Sequence, residues 1–429
     1  MKILYVAHAT PWTEYSGVPL VAGQYSKLAT EKGFDIAMLT PSFDNAYDYN
    51  NKKNKFNNIL DLKWPAIRNW SLDAFTSNKN FDKIMGYKIP FSPDIIHILD
   101  WINLHPSILI ALKNLNVPIV RHIFNFEDLC YFHQPIFRHN NQKHCEAPLT
   151  PNDCASCISK NTIKREKKFF KKIKYFLFNE ERKIFNLAKS KLLNRSEVFT
   201  DQVNEFYNHI IFPSNSFAEY FKSHIEITKP FSVISLGMPS VSTKPIKLES
   251  NKTIKCIFAG GADFRKGWKI TEEVFEKIFR AGHKNVRLRV YGHKKKTSKS
   301  KLRKYKEVEF FDTFKIEKIT EIFSWADVGI IPTYFETFCR TVRHFLQANV
   351  VPIASEAFGI PDIIKSNVNG IILNKPYAES LYDELIKIIS EPEIIMKLKL
   401  NLKKIKIDTA EEEFDKILDV YQLLLSNKR

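Results

Sequence analysis

Short β-branched runs alternate with amphipathic stretches along this chain, and they do so in two successive series. In the first, strands are predicted near Lys2 to Ala9, Asp35 to Thr40, Asp94 to Leu99, Pro118 to Phe124 and His209 to Pro213, with a helix over Gly17 to Lys32. The second starts after Ile234-Ser235-Leu236-Gly237. Its strands fall at Lys255 to Gly261, Arg287 to Gly292, Val328 to Thr333 and Val351 to Ser355, with helices over Lys266 to Arg280, over Ile316 to Ala326 and from Thr337. Strands separated by helices pair in parallel, because the return crossover needs room for a helix. The expectation is therefore an α/β chain with two parallel sheets. A length of 429 residues points the same way, since one core rarely grows that large, and two domains imply a cleft between them.

Within the first series, Pro41 to Asn58 holds six Asn and reads as a solvated loop. At the far end, Thr409-Ala410-Glu411-Glu412 fits a capping box, followed by Phe414, Ile417, Leu418, Tyr421 and Leu424 at helical spacing. The opening Met1-Lys2-Ile3-Leu4-Tyr5-Val6-Ala7 is too short an apolar run for a signal peptide and reads as a strand, so a cytoplasmic location is expected. With 65 Lys and Arg against 47 Asp and Glu, the net charge of +18 favours an anionic partner. Nucleic acid is set aside, because no recognition module accompanies the charge.

In open parallel sheets ligands sit beyond the carboxyl ends of the strands, where helix N-termini present free N–H groups to phosphate. Three segments occupy such places. The first is Ala259-Gly260-Gly261-Ala262-Asp263-Phe264-Arg265-Lys266-Gly267, in which Arg265 and Lys266 are placed to neutralise a leaving diphosphate, or are surface charges beside a turn. The second runs from Ile331 to Arg340. There Glu336 would accept sugar hydroxyls while the N–H groups of Phe338 and Cys339, near Thr333 and Thr337, face phosphate; alternatively, Glu336 is a helix N-terminal charge. The third is Thr10 to Pro19, where Ser16 would cap a helix and Gly17 would let a ligand approach the backbone, or which is a simple turn.

Taken in order, these segments resemble the retaining glycosyltransferases of family 4. The resemblance rests on the Lys2-Ile3-Leu4-Tyr5-Val6 strand, Pro93-Asp94-Ile95-Ile96-His97, Ile211-Phe212-Pro213-Ser214 and, above all, Asp327 to Leu373. It implies a GT-B fold: two Rossmann-like, doubly wound domains facing an interdomain cleft. The implied divisions are 1–236 on the acceptor side, 237–404 for the nucleotide sugar, and 405–429 as a helix crossing back. It further implies transfer of a sugar from a nucleotide-sugar donor to a saccharide or lipid-linked acceptor, with no metal needed for catalysis. Carried over by position, Lys266 and Arg265 would meet the diphosphate, Glu336 the donor sugar, and Gly260 and Gly261 the turn beneath it. The family's second acidic position falls on His344, its usual Arg on Gly261, and its His-Asp pair on Phe124 and Asn125. His122, two residues earlier, is either a cleft residue or a buried histidine. These departures leave a second reading, a GT-B scaffold that binds without turnover.

Two features stand apart from the motifs. Cys130, Cys145, Cys154 and Cys157 end in a C-x-x-C pair, which suits a structural zinc or a set of thiols. Lys160 to Lys174 carries eight basic residues mixed with Phe169, Phe170 and Ile173, within a basic helix expected over about 160–193. Such a helix packs its apolar face on its own domain and offers its cations to an anionic membrane surface.

Overall fold

The computed structural model describes residues 1–14, 17–42, 59–65, 89–100, 102–104, 107–129, 152–157, 159, 182, 185–186, 189, 203–239, 253–261, 263–292, 297–374, 378–402 and 404–427. The chain forms two compact units. The first holds Met1–Pro213, Ala218–Ile234 and Glu413–Arg429, and the second holds Ser214–Phe217 and Ser235–Glu412.

The first unit is built on a seven-stranded sheet in the order β3-β2-β1-β4-β5-β6-β7. Its strands are β1 (Lys2–Val6), β2 (Asp35–Ser42), β3 (Ile59–Pro65), β4 (Ile95–Ile98), β5 (Ile119–His122), β6 (His209–Phe212) and β7 (Phe231–Val233). Every pairing is parallel. Both faces of such a sheet are covered, which explains why β4, β5 and β6 are buried at every position. Helix α1 (Gly17–Glu31) follows β1 and buries Val21, Ala22, Tyr25, Leu28 and Ala29. Helices α2 (Ser107–Lys113) and α3 (Asn215–Lys222) follow β4 and β6.

The second unit repeats the plan with six parallel strands ordered β10-β9-β8-β11-β12-β13. These are β8 (Ile254–Ala259), β9 (Val286–Tyr291), β10 (Val308–Phe311), β11 (Val328–Ile331), β12 (Val351–Ser355) and β13 (Ile371–Leu373). Helices α4 (Trp268–Arg280), α5 (Ile319–Phe323), α6 (Arg340–Gln347), α7 (Ala378–Ser390) and α8 (Glu393–Leu402) connect and flank them. Their apolar faces close one core containing Phe258, Phe275, Val290, Ile330, Phe345 and Ile353. In both sheets the strand order reverses at one point, between β1 and β4 and between β8 and β11. Doubly wound folds bind ligands beyond the strand ends at such a reversal point.

The last helix, α9 (Ala410–Ser426), starts with the expected capping box. The Thr409 N–H donates to Glu412 Oε2 at 2.8 Å, and the Glu412 N–H donates to Thr409 Oγ1 at 3.2 Å. From Glu413 onward the helix belongs to the first unit and buries Phe414, Ile417, Leu418 and Tyr421. Polar groups join that contact. Tyr25 donates its hydroxyl to the fully buried Glu413, and His97 Nδ1 lies 2.5 Å from the Tyr421 hydroxyl. Thr409→Ala removes one half of the capping box and lowers stability by about 1 kcal/mol. Chemical denaturation followed by circular dichroism measures this, and an unchanged midpoint would contradict the role given to the cap.

Candidate functional site

At the reversal point of the second sheet, two loops run side by side. The first leaves β8 and reaches α4 through Gly267, whose left-handed backbone (φ 78°) ends the turn. A Cβ placed there would lie 2.0 Å from the Pro332 carbonyl oxygen, so only glycine lets the two loops touch. The second loop leaves β11 and is stitched to the first: the Tyr334 N–H donates to the Arg265 carbonyl at 2.8 Å, and the Phe264 and Tyr334 rings stack at 4.8 Å. Thr333 Oγ1 lies 2.9 Å from the Arg265 carbonyl and 3.4 Å from Glu336 Oε1. Gly260 backs the same corner, since a Cβ there would sit 2.8 Å from Lys266 Cβ.

This stitching places Lys266 Nζ against Glu336 Oε1 in an ion pair. The Lys266 side chain is 35% exposed and that of Glu336 is 12% exposed, so the pair lies at the surface of the loop junction. Burial alone would lower the lysine's pKa, but the Glu336 carboxylate outweighs it and holds the ammonium above its ordinary value. Arg265 is clamped differently. Its backbone N–H and its Nη2 donate to the two oxygens of Asp263, each at 2.8 Å, and this bond to Asp263 raises its pKa. Two cations thus stand at one strand end, each held by a carboxylate. An anionic ligand arriving there meets positive charge already oriented.

The floor of the second loop rests on Arg343, a residue the sequence reading passed over. It is buried without an ion pair among the described residues; its Nη1 donates to the carbonyls of Phe338 and Gly359, and its guanidinium lies 3.4 Å from the Phe338 ring centre. Burial pushes its pKa down to about 10. Phe338 and Cys339 are buried on this support, and Cys339 takes a left-handed conformation (φ 59°) just before α6. Its thiol is pushed up to about 12, chiefly by burial, and stays neutral. Ser214 Oγ donates to the Thr337 carbonyl at 2.9 Å, while Asp362 accepts the N–H groups of Asn215 and Ser216. Gly261 joins the cluster through its N–H to the Tyr291 carbonyl at 3.0 Å.

Gly260, Gly261, Arg265, Lys266, Thr333, Glu336, Thr337, Phe338 and Cys339 are therefore carried by one pair of loops. His344 is one turn into α6, 5% exposed, with burial holding its pKa down to about 4 and its Nδ1 without a hydrogen-bond partner among the described residues. In the first unit His122 is fully buried within β5. It stacks on Phe124 at 3.8 Å and on His97 at 5.6 Å, and neither ring nitrogen has a described partner. The structure thus places it as the buried histidine of the two alternatives, enclosed by the rings of Tyr25, His97 and Phe124. Asn125 Nδ2 donates to Glu127 Oε1 at 2.6 Å. Gly17 opens α1 with φ 59°, while Ser16 lies outside the described residues. So do Cys130, Cys145 and 160–174; Cys154 and Cys157 sit one turn apart on the helical segment 152–157. Among the described residues no cluster of three or more His, Cys, Asp or Glu is arranged to hold a metal, and no helix is long and apolar enough to cross a membrane.

Two parallel sheets flanked by helices, each reversing its strand order once, match the GT-B fold of glycosyltransferase structures. Residues 242–405 match the family described as glycosyl transferases group 1. This span contains the whole loop pair that carries Lys266 and Glu336. Solved structures similar over nearly the full chain include sucrose-phosphate synthase from Thermosynechococcus elongatus, at 12% identity over 99% of both chains with a TM-score of 0.65. A glycosyltransferase from Rickettsia africae has 15% identity over 99% of both chains and a TM-score of 0.60. Anabaena HepE in complex with UDP and glucose has 13% identity over 98% of this chain and 99% of that one, with a TM-score of 0.59. No curated protein matches the chain in sequence.

The buried histidines give a pH test. His97 falls from 6.5 to about 3, first through burial and then through the Arg121 charge, and His122 is held low by burial and by both neighbours. The unfolded chain therefore binds more protons between pH 6.5 and about 3, so these groups stabilise the fold above pH 6.5 and that contribution is lost as pH falls through the window. Thermal unfolding from pH 8 to pH 4 should show the decline, with a shallower slope in His122→Asn; equal slopes would contradict neutral burial.

Proposed function

We propose that the chain transfers a sugar from a nucleotide-sugar donor to a saccharide or lipid-linked acceptor in cell-surface polysaccharide or glycolipid synthesis. The observation that carries this reading is the Lys266–Glu336 pair at the reversal point of the second sheet, inside the span matched to glycosyl transferases group 1. The HepE complex with UDP and glucose supports a nucleotide-sugar donor by analogy. Retention of the anomeric configuration is carried by the resemblance to family 4.

Chemistry at this corner follows from its charges. The acceptor hydroxyl oxygen bonds to the sugar's anomeric carbon as the bond from that carbon to the diphosphate breaks; both electrons of the broken bond leave on the phosphate oxygen, which takes up the acceptor's proton. Lys266, with Arg265 beside it, stabilises that growing negative charge. Glu336 exchanges its ion pair for a shared contact with the lysine and a sugar hydroxyl, and the main chain around Thr337, Phe338 and Cys339 shapes the phosphate side. His344 is neutral at pH 7, so its imidazole serves as hydrogen-bonding partner for a ribose hydroxyl. The +18 charge also suits a peripheral place on an anionic membrane surface, where a lipid-linked acceptor would be met.

A second reading, a GT-B binding scaffold without turnover, is favoured by the burial of His122 under Phe124. Turnover separates the two. A thermal-shift screen against UDP, GDP, ADP, CMP and TDP and their sugars should find one nucleotide that stabilises the protein, with the shift lost in Lys266→Ala. With the matching donor, Lys266→Ala and Glu336→Gln should each lower kcat/KM by about a hundredfold. Stabilisation with no donor consumed would select the scaffold reading, and no shift by any nucleotide would contradict the transferase and favour the scaffold.

A further inference from the structure

The first sheet has its own reversal point, between β1 and β4, and it too carries a cation held by carboxylates. His8 follows β1 by two residues and Asp100 follows β4 by two. The fully buried Asp100 grips His8 twice: Oδ1 accepts its backbone N–H and Oδ2 accepts ring Nδ1, each at 2.5 Å. That double contact fixes the ring and turns Nε2 outward. The His8 side chain is 18% exposed, and its Nε2 lies 3.4 Å from Glu14 Oε2. Glu14 is itself positioned by a closed turn in which the Thr13 and Glu14 N–H groups both reach the Thr10 carbonyl, at 3.0 and 3.1 Å. Neither His8, Asp100 nor Glu14 has a role in the donor chemistry above.

We propose that His8 and Glu14, braced by Asp100, form a binding site for adjacent hydroxyls of a neutral saccharide, the acceptor of the transfer reaction. This rests on the sugar-transfer reading and names the acceptor-side groups for it. An outward N–H donor beside a carboxylate acceptor, about as far apart as neighbouring ring hydroxyls, offers one hydrogen bond of each polarity to a vicinal diol. Charge decides the ligand class. One imidazolium faces Asp100 on the β4 side, Glu14 on the turn after β1 and Glu127 after β5, the last also paired with Arg121 at 3.0 Å. The corner is electronegative and disfavours phosphate, in contrast to the Lys266 corner. Charge also decides the role of the ring. Burial would lower the pKa of His8, but Asp100, Glu14 and Glu127 together raise it to about 9, so at neutral pH Nε2 carries a proton to donate and the ring does not serve as a base.

The test uses the full chain and a panel of methyl α- and β-glycosides of glucose, galactose, mannose and N-acetylglucosamine, titrated by saturation-transfer NMR. At least one glycoside should bind the wild type. Binding should weaken roughly tenfold or more in His8→Ala and in Glu14→Ala, the latter at an exposed residue whose loss leaves folding intact. It should also fade as pH rises through about 9 in the wild type, and at a lower pH in Asp100→Asn, a displacement that a purely structural role would not produce. The nucleotide thermal shift, measured on the same samples, should be unchanged in all three variants. Failure of every glycoside to bind, or equal binding by wild type, His8→Ala and Glu14→Ala, overturns the proposal. If nucleotides still stabilise the protein, only this inference falls; glycoside binding without any nucleotide shift keeps the saccharide site and removes the transferase reading.

Discussion

A half-buried lysine needs a partner, and in this protein the partner comes from a different loop. Lys266 meets Glu336 only because Gly267 lets the β8 loop lie directly against Pro332 at the end of β11. Thr333 and the Tyr334 N–H then tie the same two loops through the Arg265 carbonyl. The ion pair therefore reports on the whole corner: β8 and β11 must be neighbours, both loops must leave at their carboxyl ends, and α4 and α6 must start where they do. Parallel pairing of β8 with β11 at Val328 and Cys256 sets that geometry. Remove the pairing and the charges have no reason to meet.

The two units share one topology but differ in the balance of charge at their reversal points. Each sheet reverses its strand order once, and each reversal holds a cation against carboxylates. In the second unit the balance is two cations to two carboxylates, Arg265 with Asp263 and Lys266 with Glu336. In the first, one imidazolium faces an excess of carboxylate. Under the proposed function, a charged diphosphate would favour the second corner and a neutral polyol the first. Behind the first corner, the sheet carries a stack of buried aromatic and imidazole rings, Tyr25, His97 and His122, which meets the C-terminal helix at Tyr421 and Glu413. Those histidines are kept neutral by their surroundings and act in packing.

Much of the interior was legible from the chain because buried parallel strands are dense in β-branched residues. The strands expected from pattern, β1, β2, β4, β5, β6, β8, β9, β11 and β12, are the inner members of both sheets. The four that pattern missed, β3, β7, β10 and β13, are the sheet edges. Edge strands are short or half-solvated, as in Phe231–Val233 and Val308–Phe311, and carry a diluted apolar signal. The capping box was legible because it is local. Lys266 and Glu336 could each be singled out from position, but their pairing depends on tertiary contact. Arg343 and the His8–Asp100 contact were missed for the same reason: the partners of Arg343 are main-chain carbonyls, and Asp100 is distant in sequence. His-x-x-x-x-x-Glu after the first strand was the one available signal for the first corner.

Under the proposed function, the loop pair joined by Lys266 and Glu336 receives the diphosphate of a nucleotide. The direct measurement is a crystal structure of the protein with a nucleoside diphosphate soaked at millimolar concentration, UDP first. Phosphate oxygens should lie about 3 Å from Lys266 Nζ, beyond the ends of β8 and β11, with Glu336 turned from the lysine toward the sugar side. A nucleotide bound elsewhere on the protein, with the Lys266–Glu336 pair untouched, would contradict it.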